Sequence, residues 1–238
     1  MILWAGGIWD WLDPLTLIQA VKILSRERSD IKLVFMGLTH PNDSIAEMDM
    51  SRQALSLATD LGLIDRLVFF NYGWVPYDER QNFLLDADIG ISMHSEHLET
   101  RYAFRTRILD YIWAGLPIIG TEGDSFADLI QTNHLGIVVS SNSSEAVVAA
   151  IKKIVDGDAM IMKENLAKMR ERFYWDNIIE PMMLLISNLM VQKRVRLTLS
   201  DMSLIVKSLM KRMDQVRIEK GLRFLILTTF KRIIRGVG

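Results

Sequence analysis

A chain of 238 residues, half of them hydrophobic and 24% charged, can build one large α/β domain with an appendage but is short for two full α/β domains. Four scattered histidines and no cysteine exclude a disulfide framework, a thiolate nucleophile and a Cys-based zinc or iron–sulfur centre, so no metal site is predicted. The net charge of −1 conceals a division: residues 190–238 hold twelve Lys and Arg against three Asp and Glu, and residues 1–189 carry the acidic excess.

The first element is an apolar strand over Ile2–Ala5, with neither the basic leader nor the small-residue cleavage site of a secretory signal. Gly6-Gly7 follows, and Asp13-Pro14 opens a helix in which Leu17, Val21 and Leu24 recur at helical spacing. Further strands are predicted at Lys32–Gly37, Leu67–Asn71, Ile89–His94, Pro117–Gly120 and Gly136–Val139. Between them lie amphipathic segments, one carrying Leu55, Leu57 and Leu61 before Gly62. Another runs from Ser143-Ser144-Glu145 to Val155 and closes at Asp156-Gly157-Asp158. Runs such as LVFF and GIVV are apolar on both faces and need helices on both sides. The expected fold class is therefore α/β, a Rossmann-like parallel sheet of about six strands with helices on both faces.

Residues 160–190 read as a charged helix (KENLAKMRERF) and a Met/Leu/Ile-rich helix after Pro181, and no strand signal follows. In the C-terminal extension, Met202, Val206, Leu209, Met213 and Val216 mark one helix, Gly221 breaks it, and LRFLILTTFKRIIR forms a basic amphipathic one. The domains expected are 1–188 and a helical tail, 189–238. No uncharged apolar run is long enough to span a membrane, but the tail suits an anionic membrane surface. Packing of the tail on the acidic part of the molecule is the equal alternative. The basic residues lack interleaved aromatics, so no nucleic-acid partner is expected.

The segment SEHLETRYAFRTRILDYIWAGLPIIG, Ser95 to Gly120, carries most of the chemistry. A polar loop with Glu96, Glu99, Arg101, Arg105 and Arg107 leaves the fourth strand, and a helix starts near Thr106 with Asp110 one turn inside. Open α/β sheets bind ligands at the carboxyl ends of their strands. Arginines at a helix N-terminus oppose the helix dipole, so an anionic ligand accounts for Arg105 and Arg107; pairing with Glu96 and Glu99 is the competing account. Gly6-Gly7 permits close approach of a phosphate, without the third glycine of the dinucleotide fingerprint. His94 and His97 flank Glu96 as acid/base candidates, and Asp10 lies between Trp9 and Trp11 in the first loop. Asp86-Ala87-Asp88 precedes a strand and reads as a helix stop.

GWVPYDE after the third strand, ADIGISMHSE at the fourth and DYIWAGLPIIGTEGDSFADLI behind it resemble, in this order, the C-terminal donor-binding half of GT-B glycosyltransferases. The nearest branch is the retaining enzymes of family 4 in the carbohydrate-enzyme classification, common in bacterial surface-polysaccharide clusters. The resemblance covers residues 1 to about 188. It implies a UDP- or GDP-sugar donor, no cofactor, a glycan or lipid-linked acceptor, and a hexosyltransferase whose N-terminal acceptor half is absent here and which is inactive as this half alone. It further implies a cytoplasmic location, peripheral on the inner face of the membrane. Asp110 stands where the family binds the donor ribose, and Phe104, Arg105, Thr106 and Arg107 occupy the turn that meets the diphosphate. Val75-Pro76 lies beside the nucleobase, and Gly6-Gly7 is the phosphate-side loop. The family's Glu-x7-Glu spacing would place its first acid at Tyr102, so Glu99, 11 residues before Asp110, is the candidate catalytic acid in its stead. The usual first-loop Arg and Lys fall on Gly7 and Leu12, which leaves Arg105 and Arg107 as the replacement cations. A non-catalytic nucleotide-binding or protein-interaction module, and an epimerase of the same fold, are the alternatives.

Overall fold

A computed structural model describes residues 1–39, 41, 42 and 44–191, together with 203, 207, 208, 210 and 211 of the tail. Chain contacts divide it into two units, Met1–Glu180 and Pro181–Gly238, and the sheet and the cleft described below belong to the first.

Six short strands, β1 (Ile2–Trp4), β2 (Leu33–Phe35), β3 (Val68–Phe70), β4 (Ile89–Ser92), β5 (Ile118–Thr121) and β6 (Gly136–Val139), form a sheet in the order β3-β2-β1-β4-β5-β6. Every pairing is parallel, and Leu3 is registered with Val34 on one side and Gly90 on the other. This is the expected Rossmann-like architecture. The order reverses between β1 and β4, where the connections depart in opposite directions and a crevice opens at the carboxyl edge.

The helices are α1 (Pro14–Leu24), α2 (Asp49–Asp60), α3 (Arg80–Asp86), α4 (Leu98–Tyr102), α5 (Thr106–Ala114), α6 (Ala127–Thr132), α7 (Ser144–Lys153), α8 (Ala159–Arg172) and α9 (Trp175–Val191). Alternation along β1 divides the core, because Ile2 and Trp4 face one side and Leu3 the other. On the first side α1, α2 and α7 bury Leu17, Ile18, Val21, Ala54, Ala58, Val147 and Ile151. On the second, α3, α5, α6 and α8 bury Leu84, Ile108, Ile112, Ile130 and Leu166. Each such large side chain contributes about 1.5–3 kcal/mol by leaving water. Local signals agree with these placements: Asp13 Oδ1 accepts the Thr16 N–H at 3.0 Å with Pro14 at the first helical position, and Ser143 caps α7 through the Ala146 N–H.

Strands β1 to β4 end one or two residues before the runs predicted for them, whereas β5 runs one residue further, to Thr121, and β6 ends at Val139 as predicted. Past the ladder single bonds persist, Met36 N–H to the Trp4 carbonyl and Asn71 N–H to the Phe35 carbonyl, while the carboxyl ends fan out around the crevice. His94 lies beyond β4, in an isolated antiparallel bridge with Leu12. The polar loop after β4 is not continuous coil, since α4 interrupts it with His97 Nδ1 accepting the Thr100 N–H at 3.3 Å. At Asp156-Gly157-Asp158 the chain does not stop but passes through a π-helical turn, Ile154–Asp158, into α8. Pro181 lies inside α9 rather than ahead of it, so the Asn177 carbonyl lacks its usual donor four residues on. The apolar seam at 202–216 falls mainly outside the described residues, and Gly221 with the basic helix after it does so entirely. Among the described residues no helix is long and apolar enough to cross a membrane.

Candidate functional site

The crevice between β1 and β4 is shaped by Tyr111 of α5. Its buried hydroxyl accepts the Ala5 N–H at 2.9 Å and reaches the carbonyls of Ile91 at 2.8 Å and Leu3 at 3.2 Å. One side-chain oxygen thus takes over where the β1–β4 ladder stops, and the two chains separate above it.

Above Tyr111 lies a cleft of about 260 Å³. Its floor and walls are Gly6 and Gly7 after β1, Gly37 after β2, Trp74 and Val75 after β3, and Thr106, Arg107 and Asp110 on α5. Gly6 adopts φ +93°, a backbone region that side-chain-bearing residues rarely enter, and it turns the chain under the cleft. Trp74 packs across Gly7 and Gly37, where any Cβ would fall 3.6 Å and 3.4 Å from its ring.

Two charged groups dominate the cleft. Arg107 donates from Nη2 to the Gly7 carbonyl at 3.1 Å, its guanidinium lies 5.0 Å from the Trp4 ring centre, and its buried Nη1 has no hydrogen-bond partner among the described residues. Burial draws its pKa below the usual arginine value. Asp110 accepts at Oδ2 from Arg80 Nη1 at 3.2 Å. Burial pushes its carboxyl above the ordinary range, opposed by the positive charges of Arg80 and then Arg107. The Arg80 guanidinium rests 4.4 Å from the centre of the Tyr77 ring.

Of the residues named from sequence, Gly6, Gly7, Val75, Thr106, Arg107 and Asp110 meet in this cleft. The site candidates Pro76, Phe104, Arg105 and Glu99 do not line it, and neither do His94 and Asp10. Pro76 is exposed and its carbonyl accepts the Glu79 and Arg80 N–H groups at the start of α3. Phe104 tilts against Phe126 with ring centres 4.6 Å apart. Arg105, only 8% exposed, forms a two-pronged pair with Glu99, at 2.9 Å to Oε1 and 2.6 Å to Oε2. Glu99 thus holds both terminal nitrogens of Arg105, while its Nε is buried without a partner among the described residues. His94 is fully buried with Nε2 3.4 Å from Asp124 Oδ2, while Asp124 Oδ1 caps α6 through the Phe126 and Ala127 N–H groups. Asp10 accepts the Met50 N–H and so starts α2, and the Trp9 and Trp11 rings stack at 5.2 Å. Asp88 binds the chain's amino terminus.

Sequence reading missed Arg80, Tyr77 and Trp74, although they stand in or beside the GWVPYDE segment it singled out. A second cavity of about 540 Å³ lies behind the cleft, among α3, α5, α8 and the first turn of α9. Tyr77, Arg80 and Asp110 line both spaces. Among the described residues no group of three or more His, Asp and Glu side chains is placed to hold a metal ion.

An open parallel sheet whose crevice brings a glycine turn, a helix N-terminus, a buried arginine and a carboxylate together is the setting in which such sheets bind ligands. The model of the family Glycosyl transferases group 1 matches residues 10–174, and the chain belongs to that family. Solved structures with the same fold include WaaG, a glycosyltransferase involved in lipopolysaccharide biosynthesis, at 21% identity and TM-score 0.58 over 81% of this chain and 47% of that one. Sucrose-phosphate synthase from Thermosynechococcus elongatus is similar at 18% identity and TM-score 0.66, over 81% of this chain and 46% of its own. Anabaena Alr3699/HepE in complex with UDP is similar at 15% identity and TM-score 0.64, over 79% and 48%. The chain spans about half the length of these proteins. No curated protein matches it.

Proposed function

We propose that the chain is the donor-binding half of a glycosyltransferase and holds a UDP- or GDP-sugar in the 260 Å³ cleft. The observation that carries this reading is the convergence of Gly6-Gly7, Arg107 and Asp110 at the point where the strand order reverses. In this reading the Asp110 carboxylate accepts the ribose hydroxyls, Val75 with the adjoining Pro76 turn borders the nucleobase, and the diphosphate lies between the Gly6-Gly7 turn and the N-terminus of α5. Arg107 supplies the cation there, since no carboxylate among the described residues forms an ion pair with it, whereas Arg105 is taken up by Glu99. Departure of the nucleoside diphosphate is then stabilised by a guanidinium and backbone N–H groups already in place. Glu99, fixed by Arg105, belongs to the loop on the sugar side. The complexes of HepE with UDP and UDP-glucose support a nucleotide-sugar donor.

The finer reading is a retaining family 4 enzyme of surface-polysaccharide synthesis that transfers to a glycan or lipid-linked acceptor. It works at the cytoplasmic face of the membrane, with residues 1–188 as donor domain and the basic tail 189–238 on anionic lipid. The acceptor-binding half is its partner. A nucleotide-binding module without transfer chemistry is the second reading, favoured by the mutual engagement of Glu99 and Arg105.

Calorimetric titration with UDP and with GDP tests the main reading. Binding of one of them is expected, weakened about 10- to 100-fold by Asp110→Ala, the worth of a lost charge-assisted hydrogen bond of roughly 1.5–3 kcal/mol. Unchanged affinity in that variant rejects the assignment.

A further inference from the structure

Tyr77, Arg80 and Asp110 are the partition between the cleft and the larger cavity, and they come from three places in the chain. Tyr77 stands in the turn before α3, Arg80 is the first residue of α3, and Asp110 lies on α5. Their alignment depends on tertiary packing: Leu84 of α3 is buried with Ile108 and Ile112 of α5, and this docking brings residue 80 against residue 110. The Arg80 guanidinium is gripped from two sides, by the Asp110 carboxylate at 3.2 Å and by the Tyr77 ring at 4.4 Å. Arg80 engages Oδ2 alone, and Oδ1 accepts no hydrogen bond from the described residues.

We propose that Arg80 is a positioning residue for Asp110, holding the carboxylate by Oδ2 so that its other oxygen meets the ligand's hydroxyl groups. The inference rests on the reading of Asp110 as the ribose-binding carboxylate. Only the ionised form can accept from both hydroxyls of a diol without spending an oxygen on its own proton. Burial favours the protonated form, and Arg80 is the foremost charge opposing it. The charged and titratable groups around Asp110 are Arg80 from α3, Tyr77 from the turn before it, Arg107 and Tyr111 on its own helix, and Arg170 of α8. Arg170 lines the larger cavity and donates from Nη1 to the Trp113 carbonyl at 3.0 Å. Of these, Arg80 alone is bonded to the carboxylate. Without it, protonation of Asp110 begins at higher pH, and nucleotide affinity is lost there.

The experiment is titration of the whole chain with UDP and with GDP from mildly acidic to mildly alkaline pH, for the native protein and for Arg80→Gln, Arg80→Lys and Asp110→Asn. Arg80→Gln is expected to bind within about tenfold of the native affinity at alkaline pH, the loss of one modest hydrogen bond. As pH falls its affinity should fail earlier than that of the native chain. Arg80→Lys, which keeps the charge, should restore the native profile. Asp110→Asn should bind weakly at every pH. If Arg80→Gln weakens binding by one factor at all pH values, Arg80 contacts the nucleotide directly and the positioning role is overturned. If it matches the native chain throughout, the pair is without consequence and the role is again overturned, with the reading of Asp110 intact. Native affinity in Asp110→Asn would overturn that reading instead. Because Arg80→Gln leaves the half-buried Asp110 without its partner, some loss of stability accompanies it, and the charge-conserving Arg80→Lys is measured beside it should the glutamine variant fail to fold.

Discussion

The ring of Tyr111 occupies the space that a side chain at Gly90 would need: a Cβ at position 90 would fall 2.4 Å from Tyr111 Cγ. Helix α5 can therefore lie directly on β4, and the Tyr111 hydroxyl reaches through to the backbone between the strands. The β1–β4 ladder holds only the pairs Ile2–Ile89 and Leu3–Gly90 before this oxygen takes the Ala5 N–H. The crevice at the carboxyl edge follows from that substitution of a side chain for a ladder bond. Asp110, one residue earlier on α5, is set on its rim.

Gly90→Ala should cost about 1–3 kcal/mol as an overpacked core position with no side-chain end free to yield. Tyr111→Phe should cost a similar amount, about 1–3 kcal/mol, because it leaves the Ala5 N–H and the Ile91 carbonyl buried without their partner. Urea denaturation reads both. In the phenylalanine variant nucleotide affinity should fall too; an unchanged unfolding midpoint there would show that the hydroxyl does not hold the strands.

Burial pushes the Tyr111 phenol up to about 12, against about 10 in an unfolded chain. Its raised pKa contributes stability that is complete below the unfolded value and lost as pH rises between the two values. Of the five tyrosines Tyr111 is the buried one, whereas Tyr72, Tyr77, Tyr102 and Tyr174 are exposed. Absorbance at tyrosinate wavelengths should show a late component, coincident with alkaline unfolding and absent from Tyr111→Phe. A native chain that shows no such late component is the contrary result.

The Glu99–Arg105 pair gives a third prediction. Arg105 is nearly buried, so Glu99→Ala strands its guanidinium and should destabilise the chain by about 1–3 kcal/mol, the penalty for a buried donor left unpaired. Replacing both residues by Gln and Met should recover much of that loss, as neutral removal of both partners ordinarily does. Equal instability in the single and double variants would mean that the pair is not the cause.

Much of the fold was legible because its signals are local. The β6 run Gly136–Val139 and the β3 run around Val68–Phe70 are apolar on both faces, which only a covered parallel sheet explains. Thr106 opens α5 as predicted, and Gly115, in the left-handed region, closes it. Helix α4 escaped notice because five residues show no periodicity, and Pro181 misled because proline more often marks a boundary than an interior position. In the site, Thr106, Arg107 and Asp110 were expected from the family resemblance and line the cleft, Phe104 and Arg105 do not, and the competing account of Arg105, pairing with Glu99, describes its geometry. Arg80 could not be found this way. Its partner Asp110 is 30 residues distant, and only the docking of α3 on α5 brings them together.

A fourth prediction concerns turnover. If the site of transfer is shared between two domains, residues 1–238 alone should bind a nucleotide-sugar and transfer nothing to lipid or glycan acceptors. Product formation by the purified chain, followed with a radiolabelled donor, would contradict the half-enzyme reading.

The central claim is the location of the donor, and a crystal structure of the chain with UDP, or with GDP if that binds tighter, tests it most directly. The account predicts the diphosphate between the Gly6-Gly7 turn and the N-terminus of α5, within hydrogen-bond reach of Arg107 Nη1, with the ribose on Asp110. A nucleotide seated instead in the 540 Å³ cavity beside Trp113 and Tyr174, with the Gly6-Gly7 turn unengaged, would contradict it.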